Sequence, residues 1–153
     1  MHPSCQTLGV MTSIVTYRLS LDLHRVRAVQ QATLNTEASG LQPTHGLFGS
    51  QDWWNNISMG LHPIHTVRGR ISKVYMAGMN DWPEFKMTLA DGTEIARTRE
   101  AQSAELDKAY KINAIVEVDY VVERFKQKAW GGPSENHCVI EIRVIPSNAP
   151  NDA

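Results

Sequence analysis

The stretch HTVRGRISKVYM, residues 65–76, decides the fold because its apolar residues alternate with polar ones and then change phase. Val67, Gly69 and Ile71 alternate with two arginines and a serine, whereas beyond Lys73 the apolar positions are shifted by one residue. A period of two is typical of a β-strand that is buried on one face. A phase shift close to a glycine predicts a bulge or a sharp bend. The stretch therefore predicts one long, bent strand.

Four further strands and one helix follow from similar patterns. Alternating apolar residues predict strands at residues 84–89, 94–98, 114–125 and 138–145. The turn sequence ADGT at residues 90–93 favours a hairpin between the second and third strands. Ser103 is expected to cap a short helix that lies between the third and fourth strands. The predicted core consists of Val67, Ile71, Phe85, Met87, Leu89, Ile95, Val116, Val118, Tyr120, Val122, Ile140, Ile142 and Val144.

The order strand, strand, strand, helix, strand, strand resembles the OB fold, a five-stranded Greek-key barrel. The resemblance covers residues 65–145 and rests on the order of elements, without a signature motif. It implies that the first strand pairs with both the second and the fourth strand and that the helix closes one end of the barrel. We therefore expect a mainly β (α+β) fold: a five-stranded OB-type barrel with a helix between strands three and four.

The rest of the chain is expected to add little to this barrel. Residues 1–40 are weakly patterned and are predicted to be a partly helical or disordered N-terminal segment. Residues 41–146 are predicted to form the single barrel domain, including a leading helix at residues 50–59 that carries Trp53 and Trp54. Residues 147–153 are predicted to be a flexible tail.

Composition excludes several classes of protein. The chain has 153 residues, of which 42% are hydrophobic, so it can bury a core. Its formal net charge of −1 gives no global attraction to nucleic acid or to an anionic membrane. No apolar run approaches the ~18 residues that span a bilayer, and no secretory signal is recognised, so a cytoplasmic location is expected. Two distant cysteines do not form a disulfide framework.

No catalytic or metal-binding motif is apparent, so we expect a non-enzymatic protein without a cofactor. Motifs of nucleophilic hydrolases, dinucleotide-binding folds and phosphate-binding loops are missing from the sequence. His62 and His65 flank a proline, and His137 precedes Cys138. These two groups are expected to lie far apart in the predicted topology, so His62 and His65 are interpreted as surface residues, and Cys138 as a buried apolar residue, rather than as metal ligands.

Charged residues on two strands that should pair form opposite rows. Arg68 and Arg70 are expected to lie beside an acidic row of Glu117, Asp119 and Glu123. Opposite charges across paired strands stabilise a sheet by up to ~1 kcal/mol. We therefore interpret these arginines as structural residues and not as phosphate-binding residues.

Two loops carry the residues that suggest binding. The loops at residues 77–83 and 126–137 each contain one tryptophan and are expected to lie at one end of the barrel. The candidate binding residues are Trp82, Arg124, Phe125, Lys126, Lys128 and Trp130. Aromatic and basic residues together favour weak binding of single-stranded nucleic acid. The alternative is a protein-interaction module, such as an adaptor or inhibitor subunit, that uses the same loops or the Trp53/Trp54 helix; its partner would be a protein.

Overall fold

A computed structural model describes residues 12–127 and 132–147, and its strands form one six-stranded sheet in the order β1-β6-β5-β2-β3-β4. The strands are β1 (Ile14–Arg18), β2 (His65–Ala77), β3 (Trp82–Thr88), β4 (Glu94–Thr98), β5 (Ile115–Arg124) and β6 (Glu135–Ile145). The α-helices are α1 (Leu23–Asn35), α2 (Gln51–Ser58) and α3 (Ala104–Asp107), and a 3-10 turn spans Leu19–Leu21. None of the helices in this described part of the chain is long and apolar enough to cross a membrane.

The long bent strand is confirmed. β2 pairs with β3 antiparallel, with Ile71 opposite Met87 and Lys73 opposite Lys86, so one extra residue of β2 forms a bulge between these two pairs. Gly69 permits close approach of the two strands, because a Cβ atom there would lie 2.9 Å from the backbone oxygen of Thr88. A bulge next to a close strand crossing bends the sheet, as the phase shift in the sequence predicts.

The predicted caps and the hairpin turn are also confirmed. The side chains of Ser50 and Ser103 accept hydrogen bonds from backbone N–H groups three residues further on, at 3.2 and 3.1 Å. Each bond satisfies one of the N–H groups that the first turn of a helix leaves free. Gly92 has a φ of 87°, which the tight turn between β3 and β4 requires.

The N-terminal segment, which the sequence predicts to be partly helical or disordered, contains a helix and also a strand that the sequence did not indicate. Residues 14–18 form β1 beside β6, and α1 follows from Leu23. Thr16 and Tyr17 are adjacent in sequence and both buried, so buried and exposed positions do not alternate along this strand. The hydroxyl groups of Thr16 and Tyr110 form a hydrogen bond of 2.9 Å. Burial of both neighbouring side chains hides such a strand from an analysis of periodicity.

The five-stranded OB-type barrel is not confirmed. The described strands form a sheet with two ends, β1 and β4, and β6 is hydrogen-bonded to β1 and β5. The predicted pairing of the first and fourth barrel strands is confirmed, since β2 and β5 are neighbours. The structure is therefore mainly β with six strands in an open sheet, and the resemblance to the OB fold stays a prediction.

The chain divides into two compact units, and the boundaries between them cut through several strands. The first unit contains the described parts of residues 1–17, 67–118 and 142–153, and the second contains residues 18–66 and the described parts of 119–141. The first core consists of Tyr17, Ile71, Phe85, Met87, Tyr110, Ala114, Val116, Val118, Ile142 and Val144. The second core contains Leu19, Leu41, Phe48, Trp53, Val121 and Cys138.

The predicted burial pattern of β5 is wrong in its second half. Val116 and Val118 are buried as predicted, but the next buried side chains are Val121 and Glu123. Tyr120 and Val122, which the alternation assigned to the core, are half-buried. A shift of one residue moves each side chain to the opposite face of a strand. This shift places an acidic residue, Glu123, inside the second unit.

Candidate interaction surface and buried histidine cluster

Four of the six residues that the sequence indicates for binding are described, and they are divided between the two units. Trp82 lies at the start of β3 in the first unit. Arg124, Phe125 and Lys126 lie at the end of β5 and just beyond it, in the second unit. Lys128 and Trp130 lie outside the described residues.

The two described basic members of this set, Arg124 and Lys126, are engaged within the chain. The Lys126 ammonium group donates hydrogen bonds to the backbone oxygens of Thr33 and Thr36, the second at 2.7 Å. Both carbonyl groups belong to the C-terminal end of α1, where a cation is favoured by the helix dipole. Arg124 forms an ion pair of 3.6 Å with Glu135. These cations therefore stabilise the second unit and are less available to phosphate groups.

The predicted charged rows are confirmed for β2 and the first half of β5. Arg68 Nη1 donates to Glu117 Oε2 at 2.5 Å, and Arg143 on β6 lies 3.2 Å from the other oxygen of Glu117. Arg70 donates to the backbone oxygen of Asn113 at 2.8 Å. Arg68 on β2 and Arg143 on β6 share the carboxylate of Glu117 on β5, so these ion pairs connect three strands.

The turn between β2 and β3 presents two exposed apolar side chains of the first unit, those of Met79 and Trp82. The side chain of Met79 is 92% exposed and that of Trp82 is 55% exposed. Gly78 and Asn80 both have positive φ values, 65° and 67°, which fix the path of the turn. Trp82 Nε1 donates to Thr98 Oγ1 at 3.2 Å, so its polar atom is satisfied while the indole ring remains exposed.

Tyr75 extends this surface along the same face of the sheet. Tyr75 is opposite Glu84 and Trp82 is opposite Ala77, so the two aromatic side chains are diagonal neighbours. The Tyr75 hydroxyl donates to Glu84 at 2.6 Å, and this hydrogen bond raises the pKa of the tyrosine. The Lys73 ammonium group lies 4.7 Å from the centroid of the Tyr75 ring. We call Tyr75, Met79 and Trp82 the hairpin patch.

The second unit contains a buried polar cluster that centres on Glu123. This residue was predicted to belong to an exposed acidic row, yet it is only 3% exposed. Its Oε2 atom accepts a hydrogen bond of 2.7 Å from Trp53 Nε1 and lies 2.6 Å from His62 Nε2. A buried carboxylate requires such partners because desolvation of an unpaired charge is costly. The contact with Trp53 therefore anchors α2 to β5, and the contact with His62 anchors the segment that follows α2.

His45 and His62 form the other part of the cluster. The two imidazole rings are stacked with their centroids 4.0 Å apart and their planes 8° apart. His62 was predicted to be a surface residue but is 2% exposed. His45 Nδ1 is buried, and no hydrogen-bond partner for it exists among the described residues. One ligand atom from each of His45, His62 and Glu123 lies within 4.8 Å of the other two.

Sequence reasoning missed this cluster because its members are far apart along the chain. The only local signal is the position of Glu123, two residues after the buried Val121 and thus on the same face of β5. His62 precedes a proline, and nothing around it indicates burial. Three residues separated by 17 and 61 positions meet only when α2 packs against the sheet.

His65 and His137, which were predicted to lie far apart, are brought together. Both rings stack on Tyr120, with centroid distances of 5.4 and 4.4 Å. β5 is hydrogen-bonded to both β2 and β6. Tyr120, in the second half of β5, contacts a residue at or near the start of each neighbouring strand. The expected separation was therefore wrong because the assumed strand directions placed the two starts at opposite ends.

Cys138 behaves as the buried apolar residue that its pattern predicts. It is a free thiol, and burial raises its pKa to about 12, with the nearby Glu123 carboxylate acting in the same direction. A nucleophilic cysteine requires a lowered pKa and access to solvent. The environment of Cys138 provides neither.

Comparison with known proteins gives one family. The family model described as "Immunity protein RhsI2" matches residues 12–145, from just before β1 to the end of β6. No curated protein matches the chain.

Proposed function

The chain belongs to the family of immunity protein RhsI2, and we propose that it is a non-enzymatic inhibitor that binds a toxin protein and blocks its activity. The observation that carries this proposal is the extent of the family match, which spans the described strands and helices. An immunity protein acts by binding another protein, so the match favours the protein-interaction alternative over nucleic-acid binding.

Charge and contacts agree with a protein partner. Binding to a phosphate backbone needs several free cations, and its strength falls as those cations are neutralised. Arg68, Lys126 and Arg143 are engaged with carboxylate or carbonyl oxygens of the chain itself. The formal net charge of −1 provides no long-range attraction for a polyanion.

The hairpin patch is the surface that we assign to the toxin contact. Tyrosine, tryptophan and methionine are enriched in the centres of protein interfaces. The hydrogen bonds of Tyr75 to Glu84 and of Trp82 to Thr98 hold both rings in place before a partner arrives. A prearranged aromatic side chain loses little conformational entropy on binding, which favours affinity. The Trp53/Trp54 helix is less suitable because Trp53 is fully buried.

The test is a binding measurement with the toxin domain that the chain is proposed to inhibit. Calorimetry with purified proteins should give a one-to-one complex, and co-expression should protect cells from the toxin. Trp82→Ala should weaken the complex by roughly 30-fold, the loss of about 2 kcal/mol that marks a central interface residue. The matched control is Leu61→Ala, which removes an apolar side chain of similar exposure, 62%, from the second unit.

Three results separate the inhibitor function, the location of its surface and nucleic-acid binding. If the two purified proteins do not bind each other, the inhibitor function is wrong. If the complex forms but only Leu61→Ala weakens it, the function stands and the hairpin patch is the wrong surface. A titration with a short single-stranded oligonucleotide at low salt should leave tryptophan fluorescence unchanged. A quench that disappears at high salt would favour the nucleic-acid prediction instead.

A further inference from the structure

We propose that His45, His62 and Glu123 form a binding site for a divalent transition-metal ion of the Zn²⁺ type. The proposal does not depend on the inhibitor function, because the cluster belongs to the second unit and the hairpin patch to the first. It rests on the donor atoms, on the burial of His62 and Glu123, and on one nitrogen atom of His45 that lacks a partner among the described residues.

The donor set suits this class of metal. Two imidazole nitrogens and one carboxylate oxygen are ligands that Zn²⁺ accepts with bonds of about 2.0–2.2 Å. The three donor atoms already lie within 4.8 Å of one another. Softer or harder ions are less suitable, since thiolates favour Cu⁺ and sets of oxygen atoms favour Mg²⁺ or Ca²⁺. Cys138 is not a member of the group.

Hydrogen bonds within the cluster do not explain why His45 Nδ1 is buried without a partner among the described residues. Glu123 and His62 satisfy each other, and the Trp53 N–H group satisfies the same carboxylate. His45 Nδ1 is buried beside them without a partner among the described residues. A buried polar atom without a partner costs about 1–3 kcal/mol of stability. A metal ion would remove this cost by accepting the lone pair of the nitrogen.

Metal binding requires one change in side-chain orientation. The imidazole rings are parallel and stacked, and the lone pairs of parallel rings do not point to one position between them. His45 lies in a loop and is partly exposed, whereas His62 is held by Glu123, so His45 is the ring that must turn. His62 and Glu123 must separate slightly from 2.6 Å, because the ion takes the place of their direct contact.

The surroundings would support a bound ion. Trp53 Nε1 donates to Glu123, and a donor of this kind orients a carboxylate ligand from outside the coordination sphere. The ligands come from the loop before α2, the segment after α2 and β5. A bound ion would therefore join these three parts of the second unit and stabilise the folded state.

The experiment compares Zn²⁺ and Co²⁺ binding by the full chain after treatment with a chelator. We expect one Zn²⁺ per chain by calorimetry, a rise in Tm of several degrees with Zn²⁺, and the visible absorption of tetrahedral Co²⁺. His45→Gln should fold, because Nδ1 forms no hydrogen bond with any described residue, yet should bind Zn²⁺ at least about tenfold more weakly. His24→Gln, which changes an exposed histidine of α1, is the matched control and should bind as the wild type does.

Several results would overturn the proposal. The site is wrong if the wild type binds no Zn²⁺ in calorimetry or if His45→Gln retains full affinity. It is also wrong if His137→Gln abolishes the Co²⁺ absorption, because the surface pair His65 and His137 beside Tyr120 would then hold the ion. Thermal unfolding of each variant without metal confirms that a loss of binding does not reflect a loss of folding.

Discussion

Trp53 and Trp82 show how differently the two units of this protein use one residue type. Trp53 is fully buried in α2, and its N–H group donates to the carboxylate of Glu123. Trp82 is 55% exposed at the start of β3, and its N–H group donates to a threonine hydroxyl. In the first case the hydrogen bond compensates for burial of a charge. In the second it fixes a ring that stays accessible to a partner.

Burial alone does not decide whether a tryptophan N–H group finds an acceptor. Both indole rings have a satisfied N–H group and a defined position. What differs is the apolar area that each ring leaves to solvent, and only an exposed ring can contribute to binding of another protein. Substitutions should therefore separate stability from binding, with Trp53 affecting the first and Trp82 the second.

The largest expected effect is on the free energy of unfolding of Trp53→Ala. Removal of a fully buried tryptophan should cost about 3–5 kcal/mol and leave the Glu123 carboxylate with one partner fewer. Trp82→Ala should cost less than about 1 kcal/mol, because the lost ring is more than half exposed. Urea unfolding followed by circular dichroism measures both. Equal losses in the two variants would contradict the assignment of separate roles.

Glu123 and Glu117 provide a second comparison on one strand. Glu123→Ala should cost about 3–5 kcal/mol, since it leaves His62 and the Trp53 N–H group buried without their acceptor. Glu117→Ala removes two partly exposed ion pairs, with Arg68 and Arg143, and should cost about 1 kcal/mol. The same unfolding experiment applies. A small loss in Glu123→Ala would show that Glu123 faces solvent, as the alternation in the sequence predicted.

The smallest effect concerns the thiol of Cys138, which is buried in the second unit. With a folded pKa of about 12 against an ordinary value of 9.0, its thiolate fraction near pH 8 is lowered about 1000-fold. In a Cys5→Ser variant, a thiol reagent should therefore react very slowly with the folded chain and rapidly in urea. Because folding raises the pKa of the thiol, the contribution of Cys138 to the free energy of unfolding is complete below pH 9. It decreases as the pH rises towards 12. Rapid labelling of the folded chain at pH 8 would show that this region opens readily.

The local elements of the first unit follow from neighbouring residues along the chain. The alternation in β2, its bulge, the ADGT turn and the cap at Ser103 depend on residues within a few positions of each other. Local steric and hydrogen-bonding preferences fix such features, so periodicity and turn composition predict them. The pairing of Arg68 with Glu117 was also predicted, because it requires only the register of two strands.

Other features depend on contacts between residues that are distant along the chain. β1 is buried at two successive positions and becomes a strand beside β6, although its pattern indicates no strand. Glu123 becomes a buried residue because β5 shifts phase after Val118 and because Trp53 and His62 supply its partners. The cost of burying a carboxylate is removed by groups 61 and 70 residues away along the chain. A local pattern cannot contain that information, since it exists only once the chain has folded.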